Sequence, residues 1–92
     1  MPIKVYYTST ASSSKLEGNQ RKIDMILTAK KIEFEKLDVA SSEENKKKMR
    51  ELMGDDKAVA PQIFNDDQYC GNFEKFEEAN ESDTLKEFLK LE

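Results

Sequence analysis

The sequence contains no histidine, no tryptophan and a single cysteine, Cys70. A lone cysteine cannot close an internal disulfide, and without histidine the usual Cys/His zinc site cannot form, so no metal site is predicted. There is also no apolar run of about 20 residues for a membrane span and no apolar N-terminal stretch for export. We therefore expect a protein of a reducing compartment, cytoplasmic and also nuclear, without a membrane partner.

Linkers and a strongly basic surface are also missing. The 92 residues suffice for one domain, spanning 1–92, with 37% apolar side chains, 37% charged side chains and a net charge of −4. Nucleic-acid-binding proteins usually show a basic face, so nucleic acid is not an expected partner. The densest basic stretch, "KKKMR" (46–50), is interpreted as the solvated side of a helix. Nothing in the pattern indicates an obligate dimer, so we expect a monomer.

Apolar periodicity predicts two strands and a helix in the first part of the chain. "IKVYYT" (3–8) alternates between two faces and is rich in β-branched and aromatic residues, which favours a strand. Ser14 and Glu17 have the spacing of a capping box, so a helix is predicted to begin there. "KIEFEKLDV" (31–39) predicts a second strand. Its apolar residues change phase along the strand, so either a bulge or burial on both faces is expected.

A second helix and a hairpin are predicted in the next part. Ser41 and Glu44 form another capping box, and Gly54 is well placed to end the helix that follows. "PQIFN" (61–65) and "QYCG" (68–71) predict two short strands joined by an acidic turn. Asparagine and aspartate tolerate the positive φ that such a turn needs.

The predicted element order is β-α-β-α-β-β-α, with Asn72 capping the final helix and a break in that helix near residues 81–83. The first β-α-β unit must cross over right-handed, which makes its two strands parallel. The hairpin then adds antiparallel strands. The sequence therefore predicts an α/β protein in which a mixed four-stranded sheet lies between helices on both faces, a three-layer sandwich.

Three stretches carry a resemblance that covers essentially the whole chain: "VYYTST", "APQIFNDDQYCG" and "TLKEFLKL". Together with the element order, they resemble the thioredoxin-like fold in its glutaredoxin-like form, and more closely the SH3-domain-binding glutamic-acid-rich-like proteins. The resemblance implies a cis peptide bond before Pro61, which would turn the backbone of Val59 and Ala60 outward, where glutaredoxins pair with glutathione. On position alone, Pro61 would be an ordinary proline at the entrance of a strand.

The thiol that a glutaredoxin uses for catalysis is missing from this chain. It would lie between the first strand and the first helix, where a helix N-terminus lowers its pKa, but residues 9–14 contain no cysteine. Serine has no sulfur for disulfide exchange, and no histidine is present to activate it. A polar loop with a helix cap is the simpler interpretation, so we predict no catalytic residue and no enzymatic activity.

The resemblance implies that a groove for glutathione or a peptide persists without catalysis. The predicted lining of this vestigial groove is Thr8, Ser9, Thr10, Ser12, Ser13, Ala60, Pro61, Gly71 and Asn72. Lys15 and Lys57 are the candidates for the cations that glutaredoxins place in such a groove. No resident cofactor is predicted, and glutathione would bind weakly.

Cys70 leaves a second interpretation open, in which the protein is a weak redox protein or carries a glutathionylated thiol. A free cysteine is more often a small, buried, apolar side chain. The nearby carboxylates of Asp66, Asp67 and Glu74 would raise the pKa of the thiol, which favours the inert form.

The family name points to SH3 domains, whose proline-rich ligands need two prolines in the pattern PxxP. "VAPQIF" contains one proline, Pro61, and Ile63 and Phe64 are predicted to lie within the sheet. We therefore do not expect direct SH3 binding. The expected function is a small adaptor or modulator that binds an unidentified protein through the vestigial groove or through the acidic helical face of residues 66–92.

Overall fold

A computed structural model describes residues 2–91 of the protein. Its elements are β1 (Ile3–Tyr7), α1 (Ser14–Ala29), β2 (Phe34–Asp38), α2 (Glu43–Met53), β3 (Gln62–Asn65), β4 (Gln68–Asn72), α3 (Phe73–Glu81) and α4 (Leu85–Phe88). The predicted element order is confirmed, including the break in the terminal helix. Within residues 2–91, none of the helices has the length and apolar content needed to cross a bilayer.

The four strands form one mixed sheet in the order β2-β1-β3-β4. β1 pairs in parallel with β2 and antiparallel with β3, and β3 pairs antiparallel with β4. β1 and β3 are therefore the central strands, while β2 and β4 are the outer ones. The parallel pair requires the crossover that α1 provides.

Helices cover both faces of this sheet, because both faces of its central strands are apolar. On one face α1, α3 and α4 enclose a first core, which contains Ile3, Val5, Ile23, Leu27, Ile63, Phe76, Ala79, Leu85 and Leu89. On the other face α2 encloses a smaller second core, which contains Tyr6, Val39, Met49, Ala58, Ala60 and Phe64. The predicted three-layer α/β sandwich of thioredoxin-like type is thus confirmed.

The second strand begins later than the sequence pattern predicts. β2 starts at Phe34 rather than at residue 31, because the backbone N–H groups of residues 30–32 are used to close the end of α1. Lys31 is left-handed (φ 59°), which ends the helix and delays the strand. Of the two outcomes expected for β2, burial on both faces is the one observed: Phe34 packs against the first core and Leu37 against the second.

The helix caps follow the predicted chemistry, but two of them lie one residue later or earlier than predicted. Ser13 rather than Ser14 caps α1, and its Oγ accepts a hydrogen bond from the N–H of Leu16 (3.2 Å). Ser42 rather than Ser41 caps α2. Gly54 ends α2 in the left-handed conformation (φ 65°), as predicted.

The hairpin between β3 and β4 turns at Asp66, whose φ is 56°. Ile63 is paired with Gly71, whereas Phe64 is paired with Tyr69, so Cys70 is an extra residue on the outer strand. This irregularity is a β-bulge, which bends the strand and interrupts its ladder of hydrogen bonds. β2, for which a bulge was one of two expectations, pairs with β1 in continuous register, and the bulge in β4 was not predicted.

Candidate functional site

The loop that follows β1 is held in place by a glutamine from α1. The N–H of Thr8 donates to Oε1 of Gln20 (2.8 Å), and Nε2 of Gln20 donates to the carbonyl of Thr8 (3.0 Å). A strand that ends leaves both of these backbone groups without a partner, and the two-sided amide satisfies them together. The loop therefore leaves the sheet at a defined point.

A second anchor of this loop is the carboxylate of Asp38, at the end of β2. Its Oδ1 accepts hydrogen bonds from the N–H groups of Ser9 (3.1 Å) and Ala40 (2.9 Å). Hydrogen bonding by the Ser9 side chain is the largest of the causes that hold the pKa of Asp38 well below its usual range, and the backbone of Ala40 adds to it. The ionised carboxylate of Asp38 therefore anchors the loop through hydrogen bonds and does not act as a proton donor.

The segment before β3 approaches the same loop. The Ala60–Pro61 peptide bond is cis, Pro61 is buried, and Val59 is 67% exposed. Nε2 of Gln62 donates to the carbonyl of Val59 (2.8 Å). Within residues 2–91, the backbone N–H and C=O of Ala60 make no hydrogen bond, and Ala60 as a residue is 7% exposed.

Together these segments form a cleft of about 460 Å³, here called the loop cleft. It is lined by Thr8, Thr10, Ser12, Leu16, Val39, Ala40, Lys46, Met49, Arg50, Ala58, Val59 and Ala60. Four residues of the predicted vestigial groove, Thr8, Thr10, Ser12 and Ala60, are thus brought together. Ser13 is instead engaged as the cap of α1. Ser9 borders a neighbouring depression along α1.

Gly71 and Asn72 do not join the loop cleft. They line a separate depression of about 560 Å³ between β4 and the terminal helices, here called the edge cleft. The side chain of Gln62 lies between the two sites, because it donates to the carbonyl of Val59 and accepts from the hydroxyl of Tyr69 (2.8 Å). Asn72 is moreover occupied as the cap of α3, where its Oδ1 accepts from the N–H of Lys75.

The cations of the loop cleft are not the two that the sequence suggested. Lys15 and Lys57 are exposed elsewhere, whereas Lys46 and Arg50 of α2 line the cleft. Of residues 46–50, interpreted from the sequence as the solvated side of a helix, Lys47 and Lys48 are exposed, Lys46 and Arg50 are partly exposed, and Met49 is buried. Lys46 and Arg50 are four residues apart and share one helix face, and this spacing was the available signal.

Cys70 lies in the edge cleft and not beside the loop that follows β1. The thiol is half buried, with Sγ 3.8 Å from the carbonyl of Gln68. Burial raises the pKa of Cys70, against smaller opposite effects of Lys90 and of the Asn65 backbone. The direction agrees with the sequence-based expectation, but its cause is burial rather than the neighbouring carboxylates. A raised pKa reduces the thiolate fraction on which redox reactivity depends.

No set of three or more Cys, Asp or Glu side chains in residues 2–91 is arranged to hold a metal ion. The described loop between β1 and α1 carries hydroxyl and methyl side chains at residues 8–13. The loop cleft can therefore offer hydrogen bonds, apolar contact and positive charge to a ligand, and it holds no thiol for covalent exchange.

Comparison with known proteins finds relatives of this chain. Over 105 aligned residues the chain is 34% identical to the Drosophila melanogaster SH3 domain-binding glutamic acid-rich protein homolog, with 99% of this chain and 65% of that protein covered. The chain thus spans somewhat less than two thirds of that relative's length.

Solved structures of actin interacting proteins are also similar. C. albicans actin interacting protein Aip5 superposes with a TM-score of 0.77 at 27% identity, over 96% of this chain and 87% of that one. Wild-type actin interacting protein 5 gives a TM-score of 0.75 at 25% identity and covers both chains completely. The profile of the family described as SH3-binding, glutamic acid-rich protein matches residues 1–92. The chain therefore belongs to the SH3-binding, glutamic acid-rich protein family.

Proposed function

We propose that the protein is a non-catalytic, glutaredoxin-like adaptor that binds a partner protein in the loop cleft. The observation that carries this proposal is the composition of that cleft. It lies after β1, where a glutaredoxin would carry its reactive thiol, and it is lined there by Thr8, Thr10 and Ser12. Such a surface can hold a ligand by hydrogen bonds but has no sulfur to exchange with it.

The relatives support binding as the shared activity. The family and the D. melanogaster relative are named for SH3-domain binding, and the similar solved structures are titled actin interacting proteins. Actin is therefore the first purified partner to test. A protein ligand also suits an open cleft that includes the exposed Val59 and the backbone groups of Ala60, which make no hydrogen bond within residues 2–91.

Binding of an SH3 domain in the manner of a proline-rich peptide is not part of this proposal. Such a ligand must be extended and exposed. Ile63 and Phe64, which follow Pro61, are paired within the sheet and are 0% exposed. Any association with an SH3 domain would have to use another surface of the protein.

Glutathione is included as a weak, non-covalent ligand of the same cleft. Redox action through Cys70 remains the alternative function, but its raised pKa and its position in the edge cleft do not favour it. A glutathione-coupled disulfide-reduction assay separates the two functions. Turnover by the wild type that disappears in Cys70→Ser would overturn the non-catalytic adaptor.

The binding site itself is tested by filling the loop cleft from its rim. Ser12→Trp adds a bulky ring at an exposed lining residue, and Thr28→Trp adds the same ring at an exposed position on α1 outside the cleft. Proteins captured by immobilised wild type are identified, and each candidate, with actin first, is rebound as a purified protein to all three forms.

We expect Thr28→Trp to retain the purified partner and Ser12→Trp to lose it. Equal binding of every purified partner to both variants would place the binding surface elsewhere and overturn the proposed site. Far-UV circular dichroism of both variants verifies that each is folded.

A further inference from the structure

The charged side chains that line the loop cleft are both cations, although the protein as a whole is acidic. Its lining includes Lys46 and Arg50 and no carboxylate, whereas the full chain carries a net charge of −4. Within residues 2–91, neither of these cations forms an ion pair. Two unpaired cations beside an open cleft favour an anionic ligand.

Packing of α2 determines why these two side chains face the cleft. Met49 is fully buried in the second core, which fixes the rotation of the helix. Lys46 and Arg50 then lie on one side of it, one turn apart. Nε of Arg50 donates to the carbonyl of Ala58 (3.0 Å), so the guanidinium is held beside the segment that precedes Pro61. Its terminal N–H groups remain for a ligand, since arginine has five donors.

Carboxylates do occur on α2 and in the turn after it, in a second depression that includes the same two cations. A depression of about 660 Å³ is lined by Gly54, by the cations Lys46, Lys47 and Arg50, and by the acidic residues Glu43, Glu44, Glu51, Asp55 and Asp56. None of these carboxylates lies within ion-pair distance of either cation. Lys46 and Arg50 therefore line both depressions, whereas the carboxylates line only this one.

The remaining lining suits an extended backbone. The N–H and C=O of Ala60 are without partners in the described chain; Ala60 itself is 7% exposed, and Val59 beside it is 67% exposed. An extended peptide can pair with such backbone groups as a short added strand, while its alternate side chains point toward the pocket walls. The cations would then meet the side chains of that peptide.

We propose that the loop cleft takes an extended acidic segment of a partner protein, with its backbone at Ala60 and its carboxylates at Lys46 and Arg50. This inference rests on the proposed function and names the chemistry of its partner. An arginine guanidinium can bind a carboxylate through two parallel hydrogen bonds, which adds orientation to the charge attraction.

The test uses three short fluorescein-labelled peptides of equal length, in which valine alternates with glutamate, glutamine or lysine. Their binding to the full-length chain is followed by fluorescence anisotropy. Lys46→Glu reverses one cation of the cleft. Lys47→Glu is the matched control, because it makes the same charge change on the next residue of α2, which is exposed and outside the cleft lining.

We expect the glutamate peptide to bind more tightly than the other two, and its affinity to fall as salt is raised because partly exposed charges are screened. Lys46→Glu should weaken this binding about fivefold or more, and Lys47→Glu should change it by less than about twofold. Arg50→Gln should weaken it as well. Unfolding curves of the variants establish that each is native.

Equal affinity for the three peptides, or equal effects of Lys46→Glu and Lys47→Glu, would overturn the acidic-segment inference. If Ser12→Trp still abolishes binding of the natural partner in that case, the proposed function stands without it. Glutamate-peptide binding that survives Ser12→Trp would also overturn the inference, since the peptide would then occupy another surface.

Discussion

Steric contacts explain why residue 71 is a glycine. A Cβ at this position would lie 2.7 Å from Cε1 of Phe88 and 3.0 Å from both Cζ of Phe88 and Cβ of Lys75. Contacts below 3.0 Å force a shift of one partner, and Phe88 packs against the first core. Close approach of α4 to the outer strand therefore depends on glycine here.

Gly71→Ala is expected to lower the free energy of unfolding by about 1–3 kcal/mol, the range typical of overpacking. Gly18→Ala is the matched control, because nothing lies within 4 Å of a Cβ there and Gly18 is within α1. Alanine should stabilise the helix at that position by about 0.5–1 kcal/mol. Urea denaturation measures both changes, and a shift of the same sign in the two variants would contradict this account.

The lowered pKa of Asp38 predicts how the stability of the protein depends on pH. Its folded pKa is lowered, so its stabilising effect is fully present above the unfolded pKa of about 3.9 and is lost as the pH falls below that value. Asp38→Asn should therefore be less stable than wild type at neutral pH, and the difference should shrink under acid conditions. Thermal unfolding of both proteins between neutral pH and about pH 3 tests this. A difference that does not change with pH would show that the charge is not what matters.

At the scale of elements, two neighbouring serines at the start of α1 have different roles. The sequence alone does not show which of them is the N-terminal cap. Ser13→Ala removes the side-chain acceptor of the Leu16 N–H and should cost about 1 kcal/mol of unfolding free energy. Ser14→Ala, one residue later and within the exposed first turn, should change stability by only a few tenths of a kcal/mol. Chemical denaturation of the two variants compares them directly. Equal losses would mean that the helix begins elsewhere.

Element order could be predicted from the sequence because each helix and strand has its own apolar period. Boundaries were harder, since several serines in a row are chemically equivalent and only the backbone conformation selects Ser13 and Ser42 as caps. The same holds for Lys31, a residue without a turn signal that nevertheless adopts positive φ. Local pattern thus predicts the type of an element better than its ends.

The candidate site could be predicted from the sequence only where its residues are neighbours along the chain. The resemblance to glutaredoxins suggested Thr8, Thr10 and Ser12, because it implies a groove at the loop after β1. For Arg50 the sequence shows only that it shares a helix face with Lys46; that this face borders the cleft depends on the rotation of α2, which is determined by packing of the buried Met49. The two hydrogen bonds between the side-chain amide of Gln20 and the backbone of Thr8 likewise could not be predicted from the sequence, because the two residues are far apart along the chain.

For the whole molecule, one sheet joins two cores, since β1 and β3 contribute residues to both. Leu27→Ala in the first core and Met49→Ala in the second should each reduce the unfolding free energy by about 2–5 kcal/mol. Both residues are 0% exposed. Because the central strands are shared, each variant should still unfold in a single transition. Far-UV circular dichroism and tyrosine fluorescence would give coincident curves, and separate midpoints would mean that the two cores unfold independently.

The two outer strands of the sheet affect whether copies of the protein associate through their sheet edges. An outer strand that is long and flat can template the addition of another chain, which is a common origin of aggregation. β4 is interrupted at Cys70 by its extra residue, and β2 carries the exposed charged side chains Glu35 and Lys36. Both edges are therefore poor templates, and the protein should tolerate high concentration without polymerising into intermolecular β-structure.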